Sequence, residues 1–128
     1  MDNVKILVLG ATGAMAVYLI PELLNKGYAV TGVSLDDAVS NDENLTYIKA
    51  DATDLEFLKQ QLSLGYDAVV DFMVYNSVEL FKKYYRLFLE NTRHYLFFST
   101  PYYFTIKFSQ YQSNIEKKYC FLFEYMVS

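Results

Sequence analysis

Apolar and polar positions along the chain change period several times, and each change marks an element. "KILVLG" (5–10) is a continuous apolar run ending in glycine, the pattern of a strand covered on both faces of a parallel sheet. "AMAVYLIPELLNKG" (14–27) takes helical spacing, and Val17, Ile20, Leu23 and Leu24 are expected to share one face. Gly27 is a good helix stop, while Pro21 removes a backbone donor and can kink the helix. "YAVTGVSL" (28–35) reads as a second strand, "DDAVSNDEN" as a polar loop and "LTYIKAD" (45–51) as a short third strand. "TDLEFLKQQL" (53–62) reads as a helix with Thr53 as N-cap and Glu56 closing a capping box. "YDAVVDFMVY" (66–75) predicts a fourth strand. "SVELFKKYYRLFLEN" (77–91) predicts a helix capped by Ser77, with Leu80, Tyr84, Leu87 and Phe88 on one side. "HYLFFS" (94–99) predicts a fifth strand.

Strands joined through helices imply right-handed parallel crossovers, and so an α/β doubly wound sheet. Five strands in the order 3-2-1-4-5 are expected, forming one domain over residues 1–100. Residues 102–128 hold nine of the chain's 23 aromatics but follow no single period. A sixth strand plus a helix fits there, as does a segment whose natural continuation lies elsewhere, so neither is assigned. The tail at 101–128 is counted with the same domain.

Composition narrows the classes. Hydrophobic residues at 53% against 20% charged describe a folded chain and exclude a disordered one. A net charge of −4 argues against non-specific nucleic-acid binding or an anionic membrane surface. Eleven of the fifteen acids lie in residues 1–71, which reads as solvated surface. A single cysteine, Cys120, excludes an intrachain disulfide, and with one histidine, His94, no metal site is expected. No signal peptide is read at the N-terminus, and no apolar run approaches the ~18–20 residues of a membrane span. A cytoplasmic protein is expected.

The informative stretch is "GATGAMA" (10–16), set between the first strand and a helix expected to begin near Gly13. A phosphate at such a junction meets free backbone N–H groups and the positive end of the helix dipole. Gly10 permits a tight turn, Gly13 lets a pyrophosphate approach the backbone, and Ala16 lets the helix pack closely on the sheet. The βα context, more than the glycine spacing itself, points to dinucleotide binding; a ligand-free strand–helix turn is the alternative.

From these residues the chain resembles the short-chain dehydrogenase/reductase superfamily, in its extended NAD-dependent epimerase/dehydratase branch, whose turn is G-x-x-G-x-x-G/A. "KADATDLEFLKQQL" resembles that branch's D-x-x-D segment, "YDAVVDFMVYN" its fourth strand and following turn, and "RHYLFFST" its fifth strand ending in Ser/Thr. The resemblance covers about residues 4–100, the N-terminal Rossmann half of such proteins. It implies that Gly10, Thr12, Gly13, Ala14 and Met15 surround a pyrophosphate. It places Asp51 and Ala52 at the adenine, and Met73 and Val74 along the nicotinamide-ribose side. Met-Val-Tyr stands where the family often has Ala-Ala or Ala-Gly, which narrows that passage.

Cofactor choice turns on the end of the second strand, where an acid bonds the ribose 2′-OH of NAD and an arginine would accept the 2′-phosphate of NADP. Ser34 takes that position, followed by Leu35, Asp36 and Asp37, with no Arg or Lys nearby. Two acids would repel a phosphate, so NAD is favoured over NADP.

The family's chemistry uses a Tyr-x-x-x-Lys pair and a Ser/Thr after the fifth strand. Thr100 best matches the latter, with Ser99 the other candidate. Among 13 tyrosines only Tyr103 has a lysine four residues on, Lys107, and it follows Ser99 by four residues, too early for the family's catalytic helix. The chain is therefore expected to be truncated before the substrate domain and catalytically incomplete. Full-length relatives would act on a nucleotide-sugar or similar hydroxyl compound. A non-catalytic dinucleotide-binding or protein-interaction module, and a small reductase completed by a partner subunit, are the alternatives. A homodimer is expected from an open sheet edge and an aromatic tail.

Overall fold

Residues Ile6 to Leu9 are all buried, because their strand lies mid-sheet with helices on both faces. The computed structural model describes residues 4–73, 75 and 77–97. The element order is β1 (Lys5–Leu9), α1 (Ala16–Asn25), β2 (Ala29–Ser34), β3 (Leu45–Lys49), α2 (Leu55–Leu62), β4 (Ala68–Asp71), α3 (Val78–Asn91) and β5 (His94–Phe97). All pairings are parallel and the strand order is β3-β2-β1-β4-β5, the doubly wound sheet expected from the sequence. In register, Leu9 stands between Val33 of β2 and Asp71 of β4.

The strand period of two sorts the core onto the two faces. Ile6, Val8, Val30 and Val70 pack with Ala16 and Ile20 of α1. Leu7, Leu9, Val33 and Val69 pack with α2 and α3. So the helix leaving β1 lies on one face and the helix leaving β4 on the other. The carboxyl ends of β1 and β4 thus flank the switch point, where open α/β sheets bind ligands.

Several local expectations shift. The α1 face is Ala16 and Ile20 with half-buried Leu19, Leu23 and Leu24, while Val17 faces solvent at 58% exposure. The helix runs through Pro21, whose missing donor falls on an exposed position. It ends at Gly27 in a Schellman motif, with Gly27 N–H on the Leu24 carbonyl and Tyr28 N–H on that of Leu23. The N-cap of α2 is Asp54, whose carboxylate accepts from Glu56 and Phe57 N–H, and not Thr53. Ser77 caps α3 as expected, accepting from Leu80 N–H at 3.1 Å. The buried face of α3 is Phe81, Tyr84, Tyr85 and Phe88, with Leu80 and Leu87 at its margin. β4 stops at Asp71, four residues short of the expected end, and Phe72, Met73 and Tyr75 belong to no strand. The expected end of the fifth strand and the tail at 101–128 lie outside the described residues.

Candidate functional site

The turn after β1 is fixed by backbone bonds before any side chain acts. The Val33 carbonyl of β2 accepts both Gly10 and Ala11 N–H at 3.0 Å, and Gly13 N–H closes the turn onto the Gly10 carbonyl at 3.1 Å. Gly10 has φ +79°, where an L side chain is strained. A Cβ there would stand 3.3 Å from Phe72 Cβ and 3.6 Å from Met73 Sδ. Gly13 accepts from Val17 N–H at 3.2 Å, so helical bonding starts at Gly13 although α1 proper starts at Ala16. The N–H groups of Thr12, Ala14, Met15 and Ala16 find no acceptor among the described residues. Met15, at the N-cap, supplies no side-chain cap. Gly13, Ala14 and Met15 are exposed. The junction therefore offers unpartnered donors at a helix N-terminus, the arrangement that suits an anion.

At the end of β2 the hydroxyls close a small ring. Thr12 Oγ1 donates to Asp36 Oδ2 at 2.8 Å, so its 2.7 Å contact with Ser34 Oγ uses the serine proton. Ser34 Oγ in turn accepts Asp36 N–H at 3.0 Å. Asp36 Oδ1 finds no donor among the described residues. Asp37 instead pairs with Lys49 at 3.1 Å on open surface, where such a pair contributes little. The structure thus separates two acids that look equivalent in sequence.

Asp51 and Ala52 follow β3, and Ala50 N–H on the Ser34 carbonyl at 2.9 Å draws that loop beside β2. Asp51 is exposed; its Oδ1 accepts both the Thr53 hydroxyl and N–H, which holds its carboxyl below the ordinary aspartate range. Ala52 is buried in the core. Tyr84 of α3 reaches back to donate to the Thr53 carbonyl at 2.7 Å. Burial, then the Asp51 and Asp54 carboxylates, raises its phenol.

Met73, after β4, is half-buried and packs against the main core beside the Gly10 turn. Val74, Ser99, Thr100, Tyr103 and Lys107 lie outside the described residues. Gly10, Thr12, Ser34, Asp36, Asp51 and Met73 all border the carboxyl edge of the sheet.

Two features escape the sequence reading. Gly32 of β2 sits under the turn: a Cβ there would be 2.7 Å from Ala11 Cβ and 3.1 Å from the Tyr47 ring. A lone glycine inside an apolar strand is the available signal. The other is Asp71, wholly buried at the end of β4, whose Oδ2 accepts the Tyr75 hydroxyl at 2.7 Å and the Tyr95 hydroxyl at 2.5 Å. An acid closing the apolar run "DAVVD" is the available signal there.

Burial first, then the Asp71 carboxylate, drives the Tyr75 phenol well above its ordinary value, so Tyr75 is a neutral donor and not a base. The folded chain keeps this proton where the unfolded chain loses it, above pH about 10. The resulting stability is complete below that pH and declines as pH rises beyond it. Urea titrations at pH 8 and pH 11 should show a smaller loss for Tyr75→Phe than for the wild type; equal losses would contradict this.

Among the described residues, no group of three or more His, Cys, Asp or Glu could hold a metal ion, and no helix is long and apolar enough to cross a membrane. The NAD dependent epimerase/dehydratase family matches residues 6–95. Comparison with curated proteins gives no match. Solved structures with the same fold include a candidate epimerase of Bacteroides thetaiotaomicron (TM-score 0.64, 24% identity, 75% of this chain and 47% of that one). They also include the UDP-glucose 4-epimerase of Thermotoga maritima, solved with UDP-glucose (TM-score 0.57, 20% identity, 76% of this chain and 38% of that one). A third is the Bordetella bronchiseptica enzyme WbmH in complex with NAD+ (TM-score 0.59, 20% identity, 77% and 40%). The chain spans less than half the length of each.

Proposed function

The chain belongs to the NAD-dependent epimerase/dehydratase family, and from that premise we propose that it holds a nicotinamide dinucleotide in the crevice between β1 and β4. One observation carries the reading: unpartnered N–H groups of Thr12, Ala14, Met15 and Ala16 at a glycine turn too tight for a side chain. That is the chemistry a pyrophosphate needs. Asp36, with one carboxylate oxygen committed to Thr12 and the other open, would take the adenosine ribose hydroxyls. The same carboxylate would repel a 2′-phosphate, which favours NAD over NADP. Asp51 and the Ala52 backbone border the adenine side, and Met73 the nicotinamide side.

Asp36→Arg tests the assignment. The variant should lose NAD affinity by about tenfold and gain for NADP, read by calorimetry. An unchanged preference would remove Asp36 from the site.

We infer further that turnover needs residues beyond this chain. The one Tyr-x-x-x-Lys, Tyr103 and Lys107, comes too soon after the fifth strand to match the family's pair, and Thr100 or Ser99 would supply only a hydroxyl. A nucleotide-sugar is the substrate class implied for a complete relative. Incubation with UDP-glucose and NAD should give no epimerised sugar; measurable turnover would sink this part of the reading.

A further inference from the structure

Asp71 is wholly buried, a costly place for a carboxylate unless every lone pair is answered. Among the described residues, donors reach it from two sides. Tyr75, from the loop after β4, and Tyr95, from β5, both donate to Oδ2. Oδ1 accepts Met73 N–H at 2.8 Å. Rings pack against both clamps: Tyr75 lies tilted against Tyr84 and Phe97, and Tyr95 against Phe88, with centroids 4.9–5.7 Å apart. An apolar side chain would fill such a place at less cost. What the carboxylate adds is direction.

That direction runs into the cofactor crevice. The Asp71–Met73 bond turns the chain where β4 ends, and Phe72 N–H on the Leu9 carbonyl at 3.0 Å holds the turn beside β1. Phe72 and Met73 are thereby set against Gly10, 3.3 and 3.6 Å from where a Cβ would stand. We propose that Asp71 is a positioning residue: clamped by Tyr75 and Tyr95, it fixes the Phe72–Met73 wall that borders the nicotinamide half of the dinucleotide. The proposal rests on the dinucleotide reading above. The adenosine half lies on the β2 side, at Asp36, so the other half crosses β1 to the β4 side. Asp71 therefore acts on one half of the ligand and not on the other.

That asymmetry separates positioning from general stability. NAD and AMP are titrated into wild type, Asp71→Asn and Tyr95→Phe, each confirmed folded by circular dichroism. Asparagine keeps the shape and loses the charge. Tyr95→Phe removes one clamp and keeps a buried ring, so it remains informative if Asp71→Asn does not fold. The NAD dissociation constant should rise by about tenfold in Asp71→Asn and about threefold in Tyr95→Phe, with AMP changed less than about twofold. NAD and AMP weakening in parallel, or neither weakening, would overturn the positioning role while leaving the dinucleotide site standing. A wild type that binds neither ligand would overturn the dinucleotide site itself, and this assignment with it.

Discussion

Replacing Gly10 by alanine is expected to weaken NAD binding by at least about tenfold and to lower stability by about 1–3 kcal/mol. Both effects come from one backbone position. At φ +79° a side chain is strained, and the new Cβ meets Phe72 Cβ at 3.3 Å. Phe72 cannot withdraw, because its N–H is bonded to the Leu9 carbonyl inside the sheet edge. Relief must come from the turn itself, which moves the N–H groups of Thr12, Ala14, Met15 and Ala16 away from the place proposed for the pyrophosphate. Calorimetric titration together with a urea melt reads both effects. Unchanged NAD affinity in a destabilised variant would mean that the turn does not hold the ligand.

Phe88→Ala should have the larger effect on stability, about 3–5 kcal/mol. Phe88 is 0% exposed and stands 4.9 Å, centroid to centroid, from Tyr95, in the cluster that joins α3 to β5. Its ring neighbour Tyr95 is held by a hydrogen bond to Asp71, which opposes collapse into the space. A domain has only ~5–15 kcal/mol in total, so a large fraction of the chain's stability goes. A urea midpoint close to that of the wild type would show that α3 is held by something other than this cluster.

The strand order was legible because β1 is apolar at every position after Lys5, which only a central strand covered on both faces requires. The glycine turn was legible for a related reason: Gly10 takes a positive φ that L side chains rarely adopt, and Ala16 is wholly buried where α1 meets the sheet. What the sequence hid depends on side-chain direction. Helical spacing alone could not say that Val17 faces water while Ala16 faces the sheet. Nor could it choose Asp54 over Thr53 as the cap, since both can accept and Asp51 engages Thr53. Asp36 and Asp37 are neighbours of the same type, separated only by Thr12 reaching one and Lys49 the other. Asp71 reads as the tail of a strand until Tyr95, 24 residues on, is seen to donate to it.

The proposed role of the Gly10–Ala16 turn is to bind a nicotinamide dinucleotide. Its most direct test is thermal melting of the wild type and of Gly10→Ala, each titrated with NAD. A saturable rise is expected in the wild type, worth about 2.7 kcal/mol at a hundredfold excess over Kd, and a much smaller rise at the same NAD concentration in the variant. No rise in the wild type, or an equal rise in both proteins, would contradict it.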